Sequence, residues 1–219
     1  MQPAPSGPIF RAAARPLAIA IIAYVLFLAI GLLVSHKPPV EFDRAGRALV
    51  GHGSLIAWIL AWSLYVYWLV PLCVVLVALA VARPALRARV AVTIVTLMVA
   101  WGASDLFQRT FARVRPLDWV VKHETAWSYP STHATLAVAF YGFWLYLLTR
   151  SELSRSARLW WTVILGAFIA AIYWSRLALG AHYPSDLAGG FWLGVTAINV
   201  ALAICLVLRV ELFPGFLGD

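Results

Sequence analysis

The sequence predicts an all-helical membrane protein, built as a bundle of six transmembrane helices. Of its 219 residues, 63% are hydrophobic and 12% are charged, whereas soluble domains have about 45–50% and about 25%. The apolar residues form six runs of roughly the 20 residues that a helical span needs. This composition excludes a soluble or a disordered chain. Strands of a membrane β-barrel would be shorter and would alternate in polarity.

The six predicted spans define one domain. They cover residues 16–34, 55–82, 90–107, 131–148, 159–177 and 184–208. The predicted domain comprises residues 15–210, after a disordered tail at 1–14 that is rich in proline and before a short tail at 211–219.

The loop between the first two spans has a pattern of its own. Phe42, Ala45 and Leu49 recur at helical spacing, while Asp43 and Arg44 fall on the other side. Such a pattern favours a short helix lying in the membrane interface. A plain polar loop is the alternative.

The net charge of +8 is interpreted as a topology signal. In a soluble protein it would suggest a nucleic-acid partner. Here the basic residues lie in short segments between apolar runs, so no nucleic acid is predicted and the bilayer is the partner. The side with the termini carries nine Lys and Arg and the other side eight. Discounting Arg115 and Arg176 as site residues leaves nine against six, which predicts cytoplasmic termini.

Three polar clusters lie at the ends of spans. They are Arg115-Pro116 after the third span, residues 130–133 at the start of the fourth, and residues 175–186 between the fifth and the sixth. All these ends must lie on the same membrane face, so the clusters can converge. Ionisable residues in such positions are candidates for function.

The chemistry of the clusters suits an anion. Pro130 and Pro184 are each placed to be the first residue of a helix, where a missing N–H costs nothing. The free N–H groups of the first turns then point at the site. Together with Arg115, Arg176 and the Ser131 hydroxyl, they predict a phosphate-binding site, because arginine matches phosphate oxygens as a fork.

Two histidines in one anion site indicate a division of roles, one attacking and one protonating the leaving group. Asp186 follows His182 by four residues, so on a helix it can accept a hydrogen bond from the imidazole and fix its tautomer. His133 has no carboxylate near it in sequence. The residues therefore favour His182 as the nucleophile and His133 as the acid.

These motifs resemble those of the type-2 phosphatidic acid phosphatase superfamily, the lipid phosphate phosphatases related to vanadium haloperoxidases. That family has Lys, six residues and Arg-Pro; then Pro-Ser-Gly-His; then Ser-Arg, five residues, His, three residues and Asp. The third motif is matched in full, and the other two are matched except at one position each. The matching residues are Arg115, Pro116, Pro130, Ser131, His133, Ser175, Arg176, His182 and Asp186.

The resemblance implies a metal-independent lipid phosphatase without a cofactor, acting through a phosphohistidine on His182. Asp186 would raise the nucleophilicity of His182, and His133 would protonate the leaving oxygen. Phosphoryl oxygens would be held by Arg115, Arg176, Ser131 and the backbone near Thr132.

This chain departs from the family motifs at two positions. Gln108 stands in place of the family's Lys and can donate a hydrogen bond to phosphate without adding charge. Arg113 is an alternative supplier of that charge. Thr132 replaces Gly in the second motif.

The predicted substrate is a phosphorylated membrane lipid: a polyprenyl diphosphate, phosphatidylglycerophosphate, phosphatidic acid or a phosphorylated glycolipid. The polyprenyl diphosphate is preferred by analogy. The predicted location is the inner or plasma membrane of a bacterium, with the site on the outer face. The alternatives are a lipid phosphotransferase that uses the same phosphohistidine and a non-catalytic phospholipid binder or transporter.

Overall fold

The computed structural model describes residues 7–51, 55–64, 66–117 and 124–214. These residues form helices and connecting turns, with no strand among them, so the all-helical prediction is confirmed for them. The α-helices are α1 (Gly7–Val34), α2 (Glu41–Ala45), α3 (Leu55–Trp62), α4 (Val66–Ala82), α5 (Arg87–Phe111), α6 (Thr132–Ala137), α7 (Phe143–Thr149), α8 (Arg155–Ala178) and α9 (Pro184–Val207).

Four long helices make this an integral membrane protein. Within the described ranges, the helices long and apolar enough to cross a membrane are Arg11–Val34, Pro84–Phe111, Arg155–Ala178 and Pro184–Val207. They coincide with the first, third, fifth and sixth predicted spans. Each exposes large apolar side chains, for example Ile21, Met98, Trp160 and Ile204, as expected of surfaces that face lipid.

The second predicted span is divided into two helices, α3 and α4. Helix α3 ends at Trp62, and the Ser63 hydroxyl donates to the carbonyl oxygen of Leu60 at 2.7 Å. The two halves pack on different neighbours, since Ala57 and Ala61 of α3 lie against the end of α8, whereas α4 lies against α5. The apolar run of the second predicted span therefore does not form one continuous helix.

The fourth predicted span is one helical run with an irregular middle. It consists of α6, one turn of π-helix at Val138–Gly142, and α7. The helix begins later than predicted, because Ser131 is its N-cap and Pro130 lies outside it, after a cis peptide bond from Tyr129.

Helix α9 lies at the centre of the bundle and approaches α6 closely. A Cβ atom at Gly190 would lie 2.7 Å from the Cβ of Ala134, and one at Gly194 would lie 2.6 Å from the Cβ of Val138. Because no real Cβ tolerates such distances, only glycine permits this approach. The N-terminal ends of α6 and α9, which carry His133 and follow His182, are thereby held side by side.

The segments at the ends of the predicted domain also have structure. Helix α1 begins at Gly7, inside the predicted tail 1–14, and residues 1–6 lie outside the described residues. Leu212, in the predicted tail 211–219, is buried, and its carbonyl oxygen accepts a hydrogen bond from Arg89 at 2.6 Å. The last residues of that tail, 215–219, lie outside the described residues.

The short helix predicted between the first two spans is present as α2. Phe42 and Leu49 expose their apolar side chains as predicted. Asp43 differs from the prediction: it was placed on the polar outer side, but it is fully buried against the N-terminal end of α9.

Candidate active site

The three polar clusters predicted from the sequence meet at one end of the bundle. The end of α5, the start of α6, the end of α8 and the start of α9 converge there. The Ser131 N–H donates to the carbonyl oxygen of Asp186 at 3.1 Å, and Arg115 donates to the carbonyl oxygen of Ala181 at 2.7 Å. Residues from distant parts of the sequence thus form one buried site.

His182 lies in the connection between α8 and α9, with its two ring nitrogens in opposite environments. Nδ1 lies 3.0 Å from the carbonyl oxygen of Ser128 and 3.6 Å from Oδ2 of Asp186. Nε2 lies 3.0 Å from Nη1 of Arg115. Because Nδ1 faces only acceptors, we assign the ring proton to it. Nε2 then carries the lone pair that a nucleophile needs.

The environment of His182 keeps its imidazole neutral. Burial lowers the pKa of His182 to about 4, and Arg115 acts in the same direction while Asp186 opposes it. At neutral pH the ring is therefore unprotonated on Nε2, which is the form able to attack phosphorus.

Two arginines and one glutamate form what we call the open cluster: Arg115, Glu124 and Arg176. Glu124 accepts from Nη2 of Arg176 at 2.5 Å and lies 3.3 Å from Nη2 of Arg115. Burial raises the pKa of Glu124, but the charges of Arg176 and Arg115 outweigh this and hold the pKa below its ordinary value. A carboxylate therefore lies between the guanidinium groups that the sequence assigns to phosphate.

Arg176 is the group that leaves the open cluster incomplete. Its side chain is fully buried, yet within the described part of the chain its Nε and Nη1 atoms have no hydrogen-bond partner. Buried polar groups in folded proteins are almost always paired, so such donors need an explanation. Two unused donors on a buried cation favour an anion as the missing partner.

On the other side of His182 lies the closed cluster: Asp43, Arg113, Ser185 and Asp186. Arg113 donates to Asp43 at 2.7 Å, to Asp186 at 2.5 Å and to the Ser185 hydroxyl at 2.7 Å. Burial lowers the pKa of Arg113, but Asp186 and Asp43 raise it above the ordinary value. Arg113, considered in the sequence as a source of charge for phosphate, instead pairs with carboxylates.

The remaining predicted residues shape the start of α6. The Ser131 hydroxyl accepts from the Ala134 N–H at 3.4 Å and caps the helix. Gln108 donates to the carbonyl oxygen of Pro130 at 2.9 Å and to the Thr132 hydroxyl at 3.0 Å. His133 is buried at the first turn, near enough to His182 and Arg176 for their charges to act on it.

Sequence reasoning missed three residues of this site: Asp43, Glu124 and Ser128. Ser128 fixes the orientation of His182 through its carbonyl oxygen and donates its hydroxyl to Asp186. Neither Ser128 nor Glu124 belongs to a motif, and Asp43 lies 70 residues before Arg113. Their only sequence signal is position on the same predicted membrane face. Among the described residues, no group of three or more His, Cys, Asp or Glu side chains is arranged to hold a metal ion.

Comparison with known proteins agrees with this geometry. The model of the PAP2 superfamily matches residues 89–208 of the 219. Phosphatidylglycerophosphatase B of Bacillus subtilis (strain 168) is 34% identical over 85 residues, which cover 38% of this chain and 41% of that protein. The putative undecaprenyl-diphosphatase YbjG of Escherichia coli (strain K12) is 31% identical over 102 residues, 46% of this chain and 47% of that protein. The matched region thus spans less than half the length of either relative.

The fold has a counterpart among solved structures. The crystal structure of a transmembrane PAP2 type phosphatidylglycerolphosphate phosphatase from Bacillus subtilis superposes with a TM-score of 0.69. The match covers 89% of this chain and 98% of that chain, at 19% sequence identity. At this identity the similarity establishes a shared fold.

Proposed function

Because this chain belongs to the PAP2 superfamily, we propose that it is a membrane phosphatase that hydrolyses a lipid phosphomonoester or diphosphate. The observation that carries the proposal is the buried Arg176, with two unused donors among the described residues, whose charge acts on His182. An anion-binding cation beside a neutral imidazole is the arrangement that phosphoryl transfer to histidine requires.

The proposed reaction has two steps. Nε2 of His182 attacks phosphorus, and an N–P bond forms as the bond from phosphorus to the leaving oxygen breaks. His133, which takes up a proton when the anionic phosphate binds beside it, gives that proton to the leaving oxygen. Water then attacks the phosphohistidine and gives a proton back to His133, and the N–P bond breaks to release inorganic phosphate.

Other groups of the site hold the phosphoryl group or orient the nucleophile. Arg115 and Arg176 bind the phosphoryl oxygens, together with the Ser131 hydroxyl and the backbone N–H groups at Thr132, as the positive end of α6 favours an anion there. Asp186 orients His182. Gln108 contributes by holding Thr132 in place.

We infer a six-span topology with both termini in the cytoplasm. The four long helices supply four crossings, α3 with α4 supplies the second, and α6 with α7 supplies the fourth. The site then lies on the outer face of the membrane, at the level of the lipid headgroups. A phosphate carried by a membrane lipid already lies at this depth.

The names of the two relatives, phosphatidylglycerophosphatase and undecaprenyl-diphosphatase, support a proposal for the substrate class. Both names describe a phosphate or diphosphate on an apolar anchor. We propose a lipid of this class, with a polyprenyl diphosphate as the first candidate.

The experiment measures inorganic phosphate released by the purified full chain in detergent. The substrates are a polyprenyl diphosphate, phosphatidylglycerophosphate and phosphatidic acid, in buffer containing EDTA. The wild-type chain is expected to release phosphate from at least one of them. His182→Asn keeps an N–H donor for the Ser128 carbonyl but lacks Nε2, so release should fall by about 10³-fold or more. His36→Asn, at an exposed histidine, is the matched control and should retain full activity.

Each other outcome has a definite meaning. Full release by His182→Asn would contradict its role as nucleophile. Loss of release in EDTA that Mg²⁺ restores would contradict the metal-independent route. Transfer of phosphate to an added lipid or sugar hydroxyl would identify a phosphotransferase, and binding without any reaction would identify a phospholipid binder or transporter.

A further inference from the structure

Asp43 is a buried carboxylate that belongs to none of the motifs. It lies in α2, outside residues 89–208 that match the family model. Its neighbours on the same helix, Glu41 and Arg44, are exposed and pair with each other at 3.0 Å. Asp43 itself is 0% exposed. A fully buried carboxylate is costly unless it is paired and hydrogen-bonded, so its partners should show why it is there.

Among the described residues, the side-chain hydrogen bonds of Asp43 go to the start of α9 and to the guanidinium of Arg113. Oδ1 accepts from the Ser185 N–H at 3.0 Å and from the Ser185 hydroxyl at 2.6 Å. Oδ2 accepts from Nη2 of Arg113 at 2.7 Å. Asp43 therefore binds Arg113 on one side and the first turn of α9 on the other.

Arg113 connects Asp43 to the carboxylate next to the nucleophile. Its Nη1 atom lies 2.5 Å from Oδ1 of Asp186, and its guanidinium carbon lies 4.2 Å above the ring of Tyr183. The other oxygen of Asp186 accepts from the Tyr183 N–H at 2.8 Å and lies 3.6 Å from Nδ1 of His182. A continuous path of contacts thus runs from Asp43 through Arg113 and Asp186 to His182.

The backbone around Asp43 is fixed against the site. A Cβ at Gly46 would lie 2.5 Å from Cγ of Pro184, so the turn after α2 is in tight contact with the first residue of α9. Further on, the Gly51 N–H donates to the carbonyl oxygen of Ala178, the last residue of α8, at 3.3 Å. The segment after α1 therefore contacts both helix ends that flank His182.

We propose that Asp43 and Arg113 are positioning residues, through which the segment after α1 controls the charge and orientation of Asp186 and hence of His182. This role of Asp43 and Arg113 rests on the proposed phosphatase function. Asp43, Arg113 and Asp186 together carry a net charge of −1. This charge lies beside Nδ1, where positive charge develops on the ring as Nε2 bonds to phosphorus. Without Asp43, Arg113 would neutralise Asp186, and this stabilisation would be lost.

The variant that tests the proposal is Asp43→Asn, which removes the charge and keeps the shape. We expect kcat to fall about 10- to 100-fold. KM and the inhibition constant of inorganic phosphate should change by less than about threefold, because neither Asp43 nor Arg113 belongs to the open cluster. Glu41→Gln removes a carboxylate from the exposed face of the same helix and is the matched control, with unchanged kcat.

The pH dependence of kcat/KM separates positioning from simple structural support. The charged and titratable groups around His182 are Arg115, Glu124, Arg176, His133 and Asp186, and Asp43→Asn leaves all of them in place. Since the closed cluster becomes neutral, protonation of His182 becomes less favourable and the acidic limb should move to lower pH. A structural role alone would not move this limb.

Several outcomes would overturn the proposal. One is an unchanged kcat in folded Asp43→Asn, and another is a parallel loss of kcat, phosphate affinity and thermal stability with no shift of the acidic limb. If Asp43→Asn does not fold, Ser185→Ala decides, since it removes only the hydroxyl that bridges Asp43 and Arg113. It should lower kcat several-fold at constant KM, and an unchanged kcat would refute the proposal. An inactive wild-type chain would instead refute the proposed function itself.

Discussion

The closed cluster and the open cluster lie on opposite sides of the same imidazole, and they differ in charge. Asp43, Arg113 and Asp186 in the closed cluster sum to −1, whereas Arg115, Glu124 and Arg176 in the open cluster sum to +1. In the closed cluster, both ends of the Arg113 guanidinium donate to carboxylates. In the open cluster, two nitrogen atoms of Arg176 have no partner within the described part of the chain.

This difference teaches how one buried site can serve two purposes. A cluster whose donors and acceptors are matched has a definite geometry and suits orientation of a side chain. A cluster with unmatched donors has capacity for a ligand. Nδ1 of His182 faces Asp186 of the first cluster, and Nε2 faces Arg115 of the second. The comparison predicts that charge changes on the two sides will have different kinetic signatures.

Among changes within the two clusters, the largest effect is expected from Arg176→Gln, which removes the unmatched donors of the open cluster. We expect kcat/KM for lipid phosphate to fall about 10²- to 10³-fold, the usual cost of losing a preorganised group that stabilises a transition state. Arg176→Lys keeps the charge without the fork and should give an intermediate loss. Phosphate release under steady-state conditions measures both. Activity of Arg176→Gln within threefold of wild type would remove Arg176 from the anion site.

A smaller effect is expected from Glu124→Gln, which should strengthen the binding of inorganic phosphate and not weaken it. The two guanidinium groups lose their carboxylate, so inorganic phosphate should bind more tightly, and its inhibition constant should fall several-fold. The unfolding temperature in phosphate-free buffer should also fall and should recover as phosphate is added. Unfolding scans with and without phosphate measure this, with exposed Glu41→Gln as the control. Equal responses of the two variants to phosphate would contradict the assignment of Glu124 as the carboxylate that pairs with both guanidinium groups.

The Glu124 effect has a pH signature. Because the pKa of Glu124 is lowered in the folded chain, its charge stabilises the fold fully above the unfolded-state pKa of about 4.3. That contribution is lost as pH falls through the lower folded-state pKa. The difference in unfolding temperature between wild type and Glu124→Gln should therefore be greatest near neutral pH and shrink in acid.

The smallest effect on kcat/KM is expected from Gln108→Met. Gln108 donates to the Pro130 carbonyl and the Thr132 hydroxyl, so its loss should loosen the start of α6 without removing a charge. Of these two bonds, the one to the Pro130 carbonyl is buried, and losing one buried hydrogen bond of about 1 kcal/mol corresponds to a roughly five- to tenfold change. We expect such a fall in kcat/KM. Arg109→Met, on the exposed neighbour that pairs with Asp105, should have no effect, and a loss above 100-fold at Gln108 would indicate direct contact with phosphate.

The sequence predicted the open side of the site far better than the closed side. Arg115, Arg176 and His182 lie in short motifs at helix ends, and counting spans puts those ends on one membrane face. Asp43 and Glu124 lie in connecting segments, where a carboxylate is usually solvated. Nothing local distinguishes the buried Asp43 from the exposed Glu41 two residues earlier. The distinction depends on a partner 70 residues away.

The fold shows the same limit. Hydropathy located the helices of the predicted spans within the described residues, because an apolar run must be buried in lipid or protein wherever it goes. It did not indicate that α3 ends at Trp62, inside the predicted span 55–82, since the two halves pack on different neighbours. It also did not predict the π-helical turn at Val138–Gly142. A continuous apolar run can therefore contain an interrupted or irregular helix.

The carboxylate between Arg115 and Arg176 makes ligand binding resemble ion exchange on a resin. A phosphate that also takes the Nη2 atoms of Arg115 and Arg176 must displace the Glu124 oxygens from them, so one anion leaves as another arrives. The net free energy of binding is then the difference between pairing the guanidinium groups with phosphate and pairing them with Glu124. Singly charged small anions gain little over the resident carboxylate. A phosphate or diphosphate headgroup, with more charge and more acceptor oxygens, gains most, and the exchange selects for it.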